Sequence, residues 1–254
     1  MSEVLLERDS GIARLTLNRP DRHNGLNRSM LDAAIEAVES VWAEPEDRVL
    51  VLTGAGASFC SGMDLAEPIT PDELTFMRRV GQLCTLIHDA PLPVLSRVTG
   101  SAVGFGANLA LCADLTLVGE SAVLGEVFAD RGLSIDGGGS WLVPRLVGLG
   151  RAKEIMFLAA RLTGPEAAEM GLVNRCVPDD ELDAVVDSWA ERLADGPRRA
   201  LSMIKAQLNA SFERSFHDAI EAEAVGQSLA FRSKESREGA KAYMQKRAPD
   251  FRSC

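Results

Sequence analysis

Short apolar runs alternate with helix-forming stretches through the first two-thirds of this 254-residue chain. Runs rich in β-branched residues, of the kind that form buried strands, cover residues 12–17, 49–53, 94–98 and 115–118. Between them, residues 29–42 carry apolar side chains at helical spacing. A second helical pattern begins near Thr70, Pro71 and Glu73 and continues to about Ile87. This alternation predicts an α/β architecture.

The last third of the chain has a different pattern, and from about Arg151 onward it is nearly all helical. Leu182, Val185, Val186, Trp189 and Leu193 form one apolar stripe. Three further helical patterns follow. The first comes after Gly196-Pro197, the second runs from near residue 212 to about 231, and the third covers residues 236–246. These patterns predict a boundary near residue 195, with a core over residues 1–195 and a helical region over residues 196–254.

The charge balance argues against several classes of partner. The formal net charge is −10, so the basic surface that nucleic acids or anionic lipids require is absent. No apolar run reaches the roughly 18–20 residues of a membrane span. The amino end carries acidic residues and no apolar signal-peptide core. We therefore expect a cytoplasmic protein that has no nucleic-acid or membrane partner.

The cysteines and histidines favour neither a disulfide framework nor a metal site. The chain has five cysteines, none of them in a CxxC pair, and an odd number cannot all pair internally. The histidines, His23, His88 and His217, are far apart and form no HExxH pair. We expect no bound metal.

Two glycine-rich segments follow predicted strands. The first, residues 52–65, does not match a nucleotide-binding GxGxxG, because Phe59 stands where a glycine is needed. It is either a ligand loop or a plain turn. The second, residues 100–111, places small residues at the start of a helical pattern. Such a turn exposes main-chain N–H groups that can bind a negatively charged oxygen, although small residues equally serve tight helix packing.

A third glycine-rich segment, residues 131–141, places Asp136 between Ile135 and a run of three glycines. An aspartate in such a loop is commonly a turn or N-cap residue. Catalysis by Asp136 is the second interpretation, and this segment alone does not decide between them.

The order and spacing of these segments resemble those of the crotonase superfamily, the enoyl-CoA hydratase/isomerase family, over essentially the whole chain. The matching motifs are NRP at 18–20, NGLN at 24–27, VLTGAG at 51–56, FCSGMDL at 59–65, GxAxGxG at 100–106, GLxxDGG at 132–138, LVPRLVG at 142–148, EG at 238–239 and KRAPDF at 246–251. The resemblance implies a crotonase-like ββα spiral core and a C-terminal helical oligomerisation region. It also implies a homotrimer or a dimer of trimers.

Members of this family bind an acyl-CoA thioester and stabilise an enolate through two main-chain amides. The matching positions here are Met63 and Phe105. Removing one such preorganised donor typically costs about 2.7–4 kcal/mol of transition-state stabilisation. Because backbone groups act, the Met and Phe side chains are compatible with the role. Phe105 is bulkier than the glycine common in hydratases and is expected to narrow the acyl pocket.

The resemblance also implies a binding site for coenzyme A, which is part of the substrate, so that no separate cofactor is expected. The loop formed by Arg22, His23, Asn24 and Gly25 would lie along the adenine and pantetheine, with Leu26 behind it. Arg22 is positioned to reach a phosphate. Lys234, Lys241 and Lys246 are either phosphate contacts or a solvated helix face. The remaining expected substrate contacts are Gly62, Asp64, Leu65, Gly104, Asn108, Phe128 and Leu133.

The chain departs from the hydratases at their two catalytic glutamates. Asn108 and Phe128 stand at those positions, and neither side chain can transfer a proton usefully. Glu126, two residues away, compensates only if the local alignment shifts. Asp136 stands where isomerase branches carry an acidic residue, and burial beside Ile135 is expected to raise its pKa.

The resemblance therefore favours double-bond isomerisation, with Asp136 moving the proton. Hydration through Glu126 and another crotonase-type reaction, such as thioester hydrolysis or dehalogenation, remain alternatives, because one fold supports several chemistries. The third alternative is a protein that binds acyl-CoA without catalysing a reaction.

Overall fold

The computed structural model describes residues 2–64, residue 66 and residues 72–254. The expected substrate contact Leu65 and the predicted helix start at Thr70 and Pro71 lie outside the described residues.

Within the described residues the chain forms a mixed α/β fold with two sheets, as the crotonase-like pattern predicts. The strands are β1 (Val4–Asp9), β2 (Ile12–Leu17), β3 (Val49–Gly54), β4 (Val94–Val98), β5 (Ser101–Val103), β6 (Leu115–Gly119), β7 (Val123–Gly125), β8 (Arg161–Thr163) and β9 (Arg175–Val177). The helices are α1 (Arg28–Ala43), α2 (Glu73–His88), α3 (Phe105–Leu111), α4 (Gly139–Val147), α5 (Leu149–Phe157), α6 (Gly164–Glu169), α7 (Leu182–Ala194), α8 (Arg198–Asn209), α9 (Phe216–Ala230) and α10 (Lys234–Gln245).

The larger sheet has the strand order β1-β2-β3-β4-β6-β9. β1 and β2 form an antiparallel pair, and the remaining neighbours are parallel, with Leu15 opposite Leu52 between β2 and β3. The smaller sheet has the order β5-β7-β8, in which β5 and β7 are parallel. Parallel neighbours need crossover connections, and the helices between the strands provide them.

β3 shows why the apolar runs that predict strands are continuous and do not alternate between apolar and polar residues. Leu50 and Leu52 join the main core cluster, to which α1 contributes, whereas Val49 and Val51 join a second cluster formed with α7. All residues of β3 are buried, because both faces of the strand are covered. The apolar stripe of α7, with Leu182 at its start, therefore packs on the sheet.

The sequence pattern missed two strands in the region after Arg151, which is not all helical. β8 and β9 are three residues long each, too short to show a period of two. β9 is held by pairing with β6 at the end of the larger sheet, and β8 by pairing with β7. Tertiary pairing, rather than local propensity, forms them.

The three helices after residue 196 follow the predicted patterns closely. The guanidinium of Arg48 donates to the carbonyl oxygens of Ala194 and Gly196, so the start of this region is fixed to the rest of the chain. The division into residues 1–195 and 196–254 stays a prediction. Across the part of the chain that the structure describes, no helix is long and apolar enough to cross a bilayer.

Candidate active site

The three glycine-rich segments converge on one small cavity of about 50 Å³. A β-bridge between Cys60 and Ala102 joins the first two of these segments, and a second bridge pairs Met63 of the first segment with Leu26. The residues that line the cavity are Ser61, Gly62, Met63, Val103, Gly104, Phe105, Val127, Phe128, Arg131, Leu133 and Asp136. Most of the acyl-site residues expected from the sequence are therefore adjacent in space.

The backbone N–H groups of Met63 and Phe105 are free to bind a ligand oxygen. Phe105 is the first residue of α3, so its N–H has no acceptor within the helix. The neighbouring N–H groups of Leu26 and Asp64 are used in the bridge between the two loops. Among the described residues, neither Met63 nor Phe105 has a backbone or side-chain acceptor for its N–H. Two such donors beside a cavity can stabilise a developing negative charge.

Gly62 allows these two segments to approach each other. Its φ is +93°, a conformation that strains any residue with a Cβ. A Cβ at this position would lie 2.8 Å from the carbonyl oxygen of Val103 and 3.6 Å from the nitrogen of Phe105. Glycine is therefore required here both by backbone conformation and by space.

Asp136 is the one carboxyl side chain among the described residues that line the cavity. Its Oδ1 is buried, and no described residue donates to it. Burial raises the pKa of Asp136 to about 6, as the sequence analysis expected in direction. A carboxylate with this pKa can accept and return a proton near neutral pH.

Asn108 and Glu126 lie directly behind Asp136. Asn108 is completely buried on α3, and its Nδ2 donates to the backbone oxygen of Asp136 at 3.0 Å. Glu126 is 3% exposed, and burial raises its pKa to about 8; the negative charge of Asp136 adds to this shift, and the Asn108 side chain opposes it. Glu126 is not among the residues that line the cavity.

Phe128 and Leu133 form walls of the cavity. The ring of Phe128 comes within 3.8 Å of the position that a Cβ on Gly104 would occupy. Leu133 is 53% exposed at the cavity mouth. Phe128 therefore supplies an apolar surface where the hydratase pattern would place a carboxylate.

The loop at residues 22–25 is exposed at its first two residues and buried at the other two. Arg22 and His23 are exposed, whereas Asn24 and Leu26 are completely buried. The Asn24 side chain donates to the carbonyl oxygens of Ala55 and Ser58 and accepts from the N–H of Arg19. The side chains of Asn24 and Leu26 thus support the loop and are not available to a ligand.

Asp64 forms an ion pair with Arg19 rather than facing the cavity. The Arg19 guanidinium lies 3.1 Å from Asp64 Oδ2 and also donates to the carbonyl oxygen of Gly25. The N–H of Ala66 and this guanidinium lower the pKa of Asp64. Arg19 therefore connects the residue 22–25 loop to the segment that carries Met63. The sequence analysis noted Arg19 only as part of a motif and assigned it no role in the site.

The structure also adds cavity residues that the sequence analysis did not select, namely Ser61, Val103, Val127 and Arg131. Their only signal in the sequence is their position beside a selected residue. Lys234, Lys241 and Lys246 are exposed on α10 or directly after it. No hydrogen bond in the described part of the chain connects them to residues 22–25.

Comparisons with known proteins identify the family and the fold of the chain. A family model described as enoyl-CoA hydratase/isomerase matches residues 7–253. A Rhodobacter capsulatus protein named "Probable enoyl-CoA hydratase" is 37% identical over 98% of this chain and 97% of its own. The 1,2-epoxyphenylacetyl-CoA isomerase of Escherichia coli is 34% identical over 99% of this chain and 98% of its own. The crystal structure of an enoyl-CoA hydratase from Mycobacterium smegmatis matches with a TM-score of 0.93 and 29% identity, covering 99% of this chain and 100% of that one.

Proposed function

Because the chain belongs to the enoyl-CoA hydratase/isomerase family, we propose that it moves the double bond of an enoyl-CoA thioester, with Asp136 as the single acid and base. One observation carries the choice of isomerisation over hydration: within the described cavity lining, Asp136 is the one carboxyl group. Migration of a double bond needs one group that removes a proton and returns it. Addition of water is served best by two such groups.

In the proposed reaction, the thioester carbonyl oxygen accepts hydrogen bonds from the N–H groups of Met63 and Phe105. The Asp136 carboxylate removes a proton from one carbon of the acyl chain, and the electron pair moves onto the carbonyl oxygen as an enolate. The enolate then collapses, and the Asp136 acid returns the proton to another carbon of the conjugated system. The double bond changes position, and the atoms and charges balance over the whole reaction. The two N–H groups stabilise the charge only while it exists.

Asn108 and Phe128 support this choice. The amide of Asn108 is already engaged with the backbone of Asp136, and the ring of Phe128 lines the cavity with carbon. Neither can activate a water molecule.

Hydration with Glu126 as a second acid is the competing candidate. Two observations favour it: the pKa of Glu126 is about 8, so the group is protonated at neutral pH, and a relative at 37% identity carries a hydratase name. Its weakness is position, because Glu126 is absent from the described cavity lining.

The experiment that separates these candidates follows the fate of two substrates. Purified protein is incubated with a 3-enoyl-CoA and, separately, with a 2-enoyl-CoA, and the double-bond isomers and 3-hydroxyacyl-CoA are quantified. We expect interconversion of the isomers and little hydroxyacyl product. Hydration of the 2-enoyl-CoA as fast as isomerisation would reject the proposal. CoA-thioester binding without any turnover would identify a binder, and release of free CoA would identify a thioester hydrolase.

The proposal includes no separate cofactor, because the CoA portion belongs to the substrate. The loop at residues 22–25 is the proposed contact for adenine and pantetheine, with Arg22 near a phosphate. Titration calorimetry with acetyl-CoA tests this contact, and NAD serves as the control ligand. Binding of NAD without binding of acetyl-CoA would contradict the assignment.

We also propose that the chain assembles as a homotrimer or a dimer of trimers. No residue of α9, all of which the structure describes, is buried. Yet Phe216, Ile220 and Leu229 on this helix are 75%, 49% and 57% exposed. Exposed apolar side chains at this density are typical of an interface between subunits. Light scattering that shows a stable monomer at micromolar concentration would contradict the assembly. The cytoplasmic location stays a prediction.

A further inference from the structure

A group of buried oxygen atoms includes one oxygen of the proposed catalytic carboxylate and the side-chain oxygens of two residues next to it. The atoms are Asn108 Oδ1, both carboxyl oxygens of Glu126 and Asp136 Oδ1. None of them receives a hydrogen bond from a described residue. Buried acceptors are normally paired, because an unpaired one loses its hydration without compensation. The cluster therefore lacks a donor.

The orientation of Asn108 shows where a donor is needed. Its Nδ2 donates to the backbone oxygen of Asp136, which can only accept, so the amide is oriented with Nδ2 toward that oxygen, and Oδ1 is left as an acceptor without a described donor. The negative charge of Asp136 raises the pKa of the Glu126 carboxyl and the Asn108 amide lowers it, so the three side chains are neighbours, and burial with the Asp136 charge outweighs the amide. A protonated carboxylic acid offers one O–H donor. A proton on Glu126 supplies the missing donor from within the cluster.

The loop that carries Asp136 packs tightly against the Asn108 side chain, so the position of this side chain affects the position of the loop. A Cβ on Gly139 would lie 2.3 Å from Asn108 Oδ1, and a Cβ on Gly137 would lie 2.9 Å from Asn108 Cβ. The glycines after Asp136 thus let the loop rest directly on the Asn108 side chain. Any rotation of Asn108 would displace this loop.

We propose that Glu126 is a positioning residue: it remains protonated, donates its O–H to Asn108 Oδ1, and through Asn108 holds Asp136 in place for proton transfer. The inference rests on the proposed function, in which Asp136 carries the proton. Glu126 does not touch substrate in this scheme, in agreement with its absence from the described cavity lining.

The electrostatic surroundings favour this protonation state. Burial, with the charge of Asp136, raises the pKa of Glu126 to about 8, so the acid form exceeds the carboxylate about tenfold at pH 7. The pKa of Asp136 is lower, about 6, so the negative charge of the pair resides on Asp136. On the neighbouring strand β8, Arg161 pairs with Asp130 at 3.6 Å. Asp136 is the charged group whose field raises the pKa of Glu126.

Two substitutions at residue 126 separate this role from a general structural one. Glu126→Gln keeps a hydrogen-bond donor and removes the titration, whereas Glu126→Met keeps similar length and removes the donor. At pH 7 we expect Glu126→Gln to retain kcat within about threefold. We expect Glu126→Met to lower kcat about tenfold to a hundredfold with little change in KM, as misplacement of a catalytic group by about an ångström does.

The pH profile supplies the second readout. Above pH 8 the wild-type enzyme ionises Glu126, loses the donor to Asn108 and gains a negative charge beside Asp136, so kcat should fall. Glu126→Gln should not show this alkaline fall, which is a difference that a purely structural residue would not produce. Glu154→Gln, at an exposed carboxyl on α5, is the matched control and should keep the wild-type profile.

The outcomes distinguish this inference from the proposed function. A hundredfold loss in Glu126→Gln at pH 7 would overturn it, because it would show that Glu126 itself transfers the proton. An alkaline fall that persists in Glu126→Gln, or a Glu126→Met enzyme equal to wild type, would also overturn it. Asp136→Asn is measured in parallel. If that variant retains isomerase activity, the proposed function itself fails, whatever the residue 126 variants show.

Discussion

The side-chain amide of Asn108 donates a 3.0 Å hydrogen bond to the backbone carbonyl of Asp136. The two residues are 28 positions apart, one on α3 and the other on the loop before α4. At the Asn108 position, the resemblance to hydratases would place a catalytic glutamate. In this chain the same position supports the loop that carries a different carboxyl group. In the proposed reaction, Asn108 therefore supports the single acid, Asp136, and does not act as a second one.

Asp136→Asn preserves the shape of the side chain and removes the base. We expect isomerisation to fall about 10²–10⁴-fold, the range that general acid–base catalysis contributes. Binding of acetyl-CoA should remain unchanged, because Asp136 lines the acyl cavity and not the residue 22–25 loop. Steady-state kinetics and titration calorimetry on the same preparation test both statements. A variant that loses binding as well as turnover would point to a folding defect instead.

The activity should decline in acid. The pKa of Asp136 is about 6, so its proton-accepting form is lost as the pH falls through that value. We expect kcat/KM to drop about tenfold per pH unit below pH 5.5, as for one essential base. A profile measured from pH 4.5 to 9 with a non-titrating substrate tests this expectation. A flat profile down to pH 4.5 would exclude Asp136 as the base.

Burial of Glu126 should lower stability at alkaline pH. Its pKa is raised from 4.5 to about 8, so the folded state binds more protons than the unfolded state between these values. The free energy of unfolding therefore decreases as the pH rises from about 4.5 to 8. Glu126→Gln removes this penalty and should raise the free energy of unfolding by roughly 4 kcal/mol at pH 8, since the pKa is raised from 4.5 to about 8 and one pKa unit is about 1.4 kcal/mol.

Urea unfolding at pH 8 and pH 4 tests this prediction. Both forms of residue 126 are uncharged at pH 4, so the difference in the free energy of unfolding should nearly disappear there. An equal difference at both pH values would show that ionisation of Glu126 is not its cause.

The sequence predicted those elements whose signal is local. β2 and β4 have the predicted bounds, because their apolar runs end at polar or glycine-containing turns. The helix pattern at residues 29–42 corresponds to α1, and its start is fixed by the Asn27 side chain, which accepts from the N–H of Met30. Strands of three residues, such as β8 and β9, had no such local signal.

The sequence predicted the site residues that belong to motifs. It did not predict those whose position depends on tertiary packing. Met63, Phe105 and Asp136 follow from the family resemblance, and they lie together in the structure. The neighbourhood of Glu126 could not be predicted in this way. β7 ends at Gly125, and the strand's pairing with β8 determines which way the next side chain turns. Only the assembled sheet places Glu126 behind Asp136.

Gly62→Ala tests the oxyanion-binding arrangement without touching a carboxyl group. The new Cβ would meet the Val103 carbonyl oxygen at 2.8 Å, so the segments carrying Met63 and Phe105 must separate. We expect kcat to fall about 10²–10³-fold, as when a donor to the developing charge is lost.

Gly171→Ala is the matched control, because Gly171 also has a positive φ, +76°, but its Cβ would have no neighbour nearer than 4.0 Å. Both variants should lose about 1–2 kcal/mol of stability from backbone strain, and only Gly62→Ala should lose activity. Equal activities in the two variants would show that the spacing of these two N–H groups does not govern the reaction.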